Sequence, residues 1–186
     1  MGKTQGIVVL YPCKQYNRQG HEHLTHSEIA RRLAQLKGDE YAGEFDPSCR
    51  YDRPLYFVPN DTVVTTESAR RLGVSGEHDL FGGVVPFPFV ATKTITHDLP
   101  DGYRHAPAGW STAFGHLVRE DVLPGFTAFT VDDARTATRD LLKHGKVRVK
   151  KANAMGGLGQ AVIANLDELD AFLNSMEVEE LQRDGM

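Results

Sequence analysis

The chain has 186 residues, of which 40% are hydrophobic and 25% charged, and 21 Lys and Arg against 25 Asp and Glu give it a formal net charge of −4. This composition is ordinary for a globular protein, and the near-neutral balance offers no general attraction to nucleic acid or acidic membranes. No apolar run approaches the roughly 18–20 residues that span a bilayer, and the amino terminus lacks the apolar core of a signal peptide. With only two cysteines, Cys13 and Cys49, we expect a soluble cytoplasmic protein with reduced thiols that binds neither nucleic acid nor membrane.

The first half of the chain predicts alternating strands and helices. The β-branched run at 7–11 is typical of a strand buried on both faces, as in a parallel sheet. A capping-box pattern, Thr25-x-x-Glu28, predicts a helix that begins there and ends at Gly38. The next elements are expected in this order: a loop at 38–53, a strand at 55–58, a short helix at 67–72, and an edge strand or extended segment at 84–90.

The second half has a more regular pattern. Ser111, Thr130 and Asn165 each precede an apolar periodic stretch and predict the starts of three helices. The other elements are expected as strands at 126–130, 147–150 and 161–163 and a last helix at 178–183. The alternation predicts an α/β fold, with a soft boundary between residues 1–108 and 109–186.

Strand 147–150 is the informative segment for function. Its alternation places Val147 and Val149 on one face and Arg148 and Lys150 on the other. If the flanking helices cover the valine face, Lys150 projects from the open face of the sheet.

Three glycines, Gly156, Gly157 and Gly159, follow this strand. Glycine lets successive backbone N–H groups turn toward one point, and its missing Cβ lets a large anion approach closely. A lysine beneath such a loop suits phosphate because it is a mobile point charge. The pattern indicates a phosphate clamp, and its alternative is a common glycine hairpin beside a solvated lysine. It is neither a Walker A loop nor a dinucleotide fingerprint, because it joins two strands and opens no helix.

The order helix, short strand, helix, lysine-bearing strand, glycine loop, return strand and helix resembles the first lobe of the ATP-grasp module of biotin carboxylases and D-alanine–D-alanine ligases. The resemblance implies that Lys150 contacts a nucleotide and that Gly156, Gly157 and Gly159 form a flap over its phosphates. It also implies a Rossmann-like pre-ATP-grasp domain at 1–108 before a partial ATP-grasp lobe at 109–186. The whole chain is similar to a bacterial family of ATP-grasp-like proteins of unknown function.

The resemblance also assigns Lys93 as a second nucleotide-binding lysine, and the alternative is a solvated strand lysine.

The full family pattern implies ATP-dependent activation of a carboxylate as an acyl phosphate and ligation to an amine or other nucleophile. ATP and magnesium are expected only for a full-length protein. The magnesium-binding half would begin where this sequence ends, so we expect a truncated chain that is inactive alone. The alternative is a non-enzymatic nucleotide-binding, small-molecule-binding or assembly module, and an exposed sheet edge would favour a homo-oligomer.

Polar residues also follow the first strand. Lys14, Arg18 and His21 are candidate substrate contacts, because ligands bind at the carboxyl ends of strands in open α/β sheets. Three histidines between residues 21 and 26 with Glu22 could hold zinc or nickel, but a polar loop that enters a helix fits their spacing better. Cys13 is a candidate nucleophile or a buried thiol. No residue is predicted to be catalytic or to bind a metal.

Overall fold

The structure is a computed structural model that describes residues 6–14, 17–154 and 157–186. It is a mixed α/β protein with small parallel and antiparallel sheets, and it forms two compact units, Met1–Pro86 and Phe87–Met186. The boundary expected after residue 108 lies inside the second unit. The reason is an aromatic cluster that joins residues from both sides of that position, namely Phe89, Trp110 and Phe129. No helix in the described part of the chain is both long and apolar enough to cross a bilayer.

A three-stranded parallel sheet in the order β2-β1-β3 organises the first unit. Its strands are β1 (Ile7–Tyr11), β2 (Glu40–Glu44) and β3 (Leu55–Pro59). The central strand β1 is buried on both faces, with Val8 and Val9 at 0% exposure, which confirms the prediction. The prediction of a loop over residues 38–53 is wrong for residues 40–44, which form the strand β2. This segment has no β-branched residue, and its pairing with β1, not its propensity, makes it a strand.

The helix α1 (His21–Lys37) packs on β1 and β2. It begins before Thr25, so the predicted capping box is wrong: the Thr25 hydroxyl lies inside the helix, 3.4 Å from a ring nitrogen of His21. The predicted end is confirmed, because Gly38 has the left-handed φ of 74° that closes many helices. The buried face consists of Ala30 and Ala34.

The rest of the first unit is a short parallel pair with a helix between its strands. β4 (Val63–Val64) pairs with β5 (Val84–Val85), and α2 (Thr66–Arg71) lies between them in sequence. The Thr65 hydroxyl accepts a hydrogen bond from Ser68 N and so caps α2.

The described residues of the second unit form four α-helices and a hairpin. They are α3 (Ala113–Val118), α4 (Val131–Leu142), β6 (Val147–Lys150), β7 (Gln160–Ile163), α5 (Leu166–Leu173) and α6 (Val178–Asp184). Two 3-10 turns, Pro88–Ala91 and Lys93–Thr96, precede them. The prediction of a strand over residues 126–130 is wrong. These residues run outside any sheet, and Ala128 instead exchanges two backbone hydrogen bonds with Met186, of 3.2 and 3.0 Å.

The antiparallel pair β6–β7 forms one wall of the main core of the second unit. Val147 and Val149 are buried there with Ala134 of α4 and with Leu169 and Leu173 of α5. The helices therefore cover the valine face of β6, which is the condition under which Lys150 projects from the open face. The predicted caps of α4 and α5 are also confirmed, since both side chains accept a backbone N–H from their first turn.

We expect Leu169→Ala to lower the free energy of unfolding by about 2–5 kcal/mol, because it leaves a cavity in a fully buried position. Leu117→Ala is the matched control, because Leu117 is 77% exposed, and we expect a change of about 0.5 kcal/mol or less. Trp110 is the single tryptophan and belongs to the second unit, so its fluorescence during urea unfolding reports both variants. Equal effects would contradict this assignment of the core.

Candidate functional site

A cleft of about 610 Å³ lies in the second unit, within the size range of small-molecule sites. It is lined by β6, by α4, by residues 122–128 and by the 3-10 turn that begins at Lys93. Apolar side chains such as Leu123, Phe126 and Leu141 form part of its wall. The charged residues that line it are all cationic: Lys93, Lys146, Arg148, Lys150 and Lys151, with no aspartate or glutamate among the described lining residues.

The open face of β6 and the residue before it supply three of these cations. Lys146, Arg148 and Lys150 occupy alternate positions and are exposed, because the residues between them are buried in the core. The Arg148 guanidinium donates to Gln160 Oε1 at 3.3 Å. The amines of Lys146 and Lys150 form no hydrogen bond or ion pair with any described residue. Two cations of the cleft, Lys146 and Lys150, therefore lack a counter-charge among the described residues, whereas Lys151 Nζ lies 3.9 Å from Glu180 Oε2.

Lys93 joins this group from a distant part of the chain. It lies in the 3-10 turn Lys93–Thr96 and not in a strand, so the alternative interpretation of a strand lysine is wrong. Its Nζ donates to the Ala154 carbonyl at 2.7 Å. The structure thus brings both sequence-predicted lysines, Lys93 and Lys150, to one cleft, and ties Lys93 to the loop that contains the glycines.

The glycine loop has a conformational need for glycine at two described positions. Gly157 and Gly159 have φ values of 83° and 60°, which L-residues with a side chain rarely adopt. A Cβ on Gly159 would also lie 2.7 Å from Ala154 Cβ. The backbone N–H of Lys151 donates to the Gly159 carbonyl at 2.7 Å and closes the base of the loop. Gly156 lies outside the described residues, and contact of this loop with phosphate stays a prediction.

Sequence reasoning missed part of this site. Lys146, Arg148 and Lys151 line the cleft but were not predicted as site residues. The signal was present in the basic sequence Lys-Val-Arg-Val-Lys-Lys, because alternate cations on a strand share one face. The two lining histidines, His97 and His144, had no such signal.

The candidate contacts in the first unit are only partly brought together. A cavity of about 690 Å³ lies beside the carboxyl ends of β1 and β2, and Arg18 lines it, paired with Glu44 at 2.5 Å. Lys14 pairs with Asp61 at 2.8 Å. Neither Lys14 nor His21 is among the described residues that line this cavity. Substrate contact by these three residues stays a prediction.

His21 is also the first residue of α1, and the two histidines after it lie on the same helix. Within the described ranges, no group of three or more His, Cys, Asp or Glu side chains is arranged to hold a metal ion.

Cys13 lies after β1 in a protonated state that is unsuited to nucleophilic attack. Burial raises the pKa of its thiol to about 11. Its Sγ lies 3.3 Å from the Asp61 carbonyl, to which the thiol donates. The thiol form therefore predominates at neutral pH.

The fold and the cleft together define a mixed α/β protein with two compact units and a cationic cleft in the second. The chain belongs to the family described as "Protein of unknown function (DUF3182)", whose model matches residues 9–186. Comparison with curated proteins gave no match, and comparison with solved structures gave none either.

We expect Gly159→Ala to destabilise the second unit more than Gly102→Ala does. Gly102 has a similar φ of 67° but open space where a Cβ would lie. Gly102→Ala therefore measures only the free-energy cost of the left-handed backbone conformation, about 1–2 kcal/mol. Gly159→Ala adds the collision with Ala154. Urea unfolding followed by Trp110 fluorescence measures both, and equal losses would show that the loop relaxes around the new methyl group.

We expect iodoacetamide to alkylate Cys13 slowly in the variant Cys49→Ser, which leaves Cys13 as the only thiol. A pKa of about 11 instead of about 9 leaves roughly 100-fold less thiolate at pH 8. The rate should still be rising at pH 10, whereas the urea-unfolded variant should react as an ordinary thiol. A rate that levels off below pH 8 would show an activated cysteine.

Proposed function

We propose that the cleft of the second unit binds the phosphate groups of a nucleotide, with Lys150 as its principal cation. In this proposal the second unit is the first lobe of an ATP-grasp-type module, and the first unit is its Rossmann-like front domain. The observation that carries the proposal is the charge of the cleft: five cationic side chains and no described acidic one in a chain of net charge −4.

Electrostatics favours an anionic ligand at this place. Like charges that line one concave surface repel each other, and the walls of a cleft concentrate their field. Lys146 and Lys150, whose amines have no partner among the residues that the structure describes, are free to form charge-assisted hydrogen bonds with phosphate oxygens. The apolar side chains of the same cleft suit the uncharged part of a nucleotide.

The glycine loop supports the same proposal. Its stem is held at Ala154 by Lys93 and at Gly159 by the Lys151 N–H. Leu158, between the two described glycines, is 78% exposed. Gly157 and Gly159 lie outside the described cleft lining, and in this proposal a loop held at its stem next to a cationic strand supplies backbone N–H groups to a bound phosphate chain.

The ATP-grasp resemblance extends the proposal to a reaction class. In that reaction a substrate carboxylate oxygen attacks the γ-phosphorus of ATP and ADP leaves. An amine or other nucleophile then attacks the acyl carbon and releases inorganic phosphate. In this reaction we assign the phosphate-binding step to the cationic residues of the cleft. Nucleotide binding without chemistry is the second candidate, and it differs in that no ADP is formed.

We expect isothermal titration with Mg·ATP and with tripolyphosphate to show binding that weakens as salt concentration rises. Lys150→Ala should weaken both ligands about tenfold or more, since a hydrogen bond to a charged group contributes about 1.5–3 kcal/mol. Lys143→Ala is the matched control. Lys143 is exposed, pairs with Asp140 and does not line the cleft, so its removal should leave the affinity unchanged.

Three outcomes decide the matter. Absence of binding, or equal affinity in Lys150→Ala and the unsubstituted protein, would overturn the proposal. Binding of tripolyphosphate but not of ATP would restrict the site to inorganic phosphates. Release of ADP in the presence of a carboxylate and an amine would favour the ligase over the binding module.

A further inference from the structure

Asp184, the last residue of α6, carries a buried carboxylate at 2% exposure. Its oxygens accept three hydrogen bonds. Asn153 Nδ2 donates to Oδ2 at 2.6 Å, and the Arg183 guanidinium donates to Oδ1 and Oδ2 at 2.9 and 2.6 Å. A carboxylate that is removed from water requires such hydrogen-bond partners. The three hydrogen bonds therefore fix the position of the Asp184 side chain.

The segment around Asp184 is itself fixed to the core. Leu181, one turn earlier, is 2% exposed, and the two residues after Asp184 pack against Phe129 and pair with Ala128. Gly185 has a φ of 77°, and a Cβ there would lie 2.8 Å from the Phe129 ring. Asp184 is therefore held on both sides along the chain.

The partner of this carboxylate lies in the stem of the glycine loop. Asn153 follows Lys150 by three residues and directly precedes Ala154, whose carbonyl accepts the Lys93 amine. Lys151 Nζ also donates to the Ser175 carbonyl at 3.3 Å. The stem is thus tied to the loop before α6, to the end of α6 and to the 3-10 turn of Lys93.

We infer that Asp184 is a positioning residue for the anion site, acting through Asn153. The inference rests on the proposed function of the cleft. The Asn153–Asp184 hydrogen bond fixes the chain directly after Lys150, Lys151 and Ala152, which line the cleft, whereas the described Gly157 and Gly159 do not line it. Asp184 itself lies outside the described cleft lining.

An exchange of the two side chains tests the inference. Asn153→Asp places two carboxylates against each other, and Asp184→Asn places two amides there. The double variant Asn153→Asp/Asp184→Asn restores one amide–carboxylate hydrogen bond with the roles reversed, and Arg183 retains an oxygen to which it can donate. We expect each single variant to bind tripolyphosphate about tenfold or more weakly, because the displaced loop misplaces its donors. The double variant should recover most of the affinity.

A stability control separates positioning from loss of folding. Leu173→Ala removes a side chain from the core of the same unit but leaves the Asn153–Asp184 bond intact. All variants are titrated at a temperature where Trp110 fluorescence shows them folded. We expect Leu173→Ala to keep the affinity of the unsubstituted protein despite its lower melting temperature.

Each remaining outcome has a distinct meaning. Single variants that bind with unchanged affinity, or a double variant no better than either single one, would overturn the role of Asp184 and leave the anion site standing. If the unsubstituted protein fails to bind tripolyphosphate, the proposed function falls and the positioning role falls with it.

Discussion

The alternation of strand β6 is the constraint on which the second unit depends. Two valines on one face belong to the main hydrophobic core, so the strand cannot slip by one residue without exposing them and burying cations. The same constraint places cations at the alternate positions of the strand, and these cations line the cleft together with the two valines. The hydrophobic core and the cluster of cations therefore both follow from the alternating sequence of β6. Burial of the valines offsets the electrostatic repulsion between the cations.

The ties around the glycine loop extend this arrangement beyond the strand. Lys93 arrives from a 3-10 turn and Asp184 from the end of α6, and both hold adjacent residues of the loop stem. A cationic amine that is satisfied by a loop carbonyl differs from the amine of Lys150, which has no partner among the described residues. In the proposed phosphate site the two lysines would thus have separate parts, one holding the loop and the other holding the anion.

Local signals predicted some elements well. The caps Thr130 and Asn165 and the closing Gly38 were confirmed, because each acts within one helical turn of its own position. The hairpin of β6 and β7 was also confirmed, since its alternation and its glycines are local. The strand β2 and the true start of α1 could not be found in this way. β2 exists through pairing with β1, and no side chain caps the first turn of α1.

For the candidate site, the sequence by itself determined that Lys150 stands on the open face of a strand and that Gly159 follows in a turn, because strand periodicity and positive φ are properties of the local chain. Only the tertiary structure decided that Lys93 and Lys150 line one cleft, and that Asp184 reaches Asn153. The two lysines are 57 positions apart in the sequence (150 − 93), and the hydrogen-bonded pair Asn153–Asp184 is 31 positions apart (184 − 153). No local rule relates such distant positions, since packing of the whole unit brings them together.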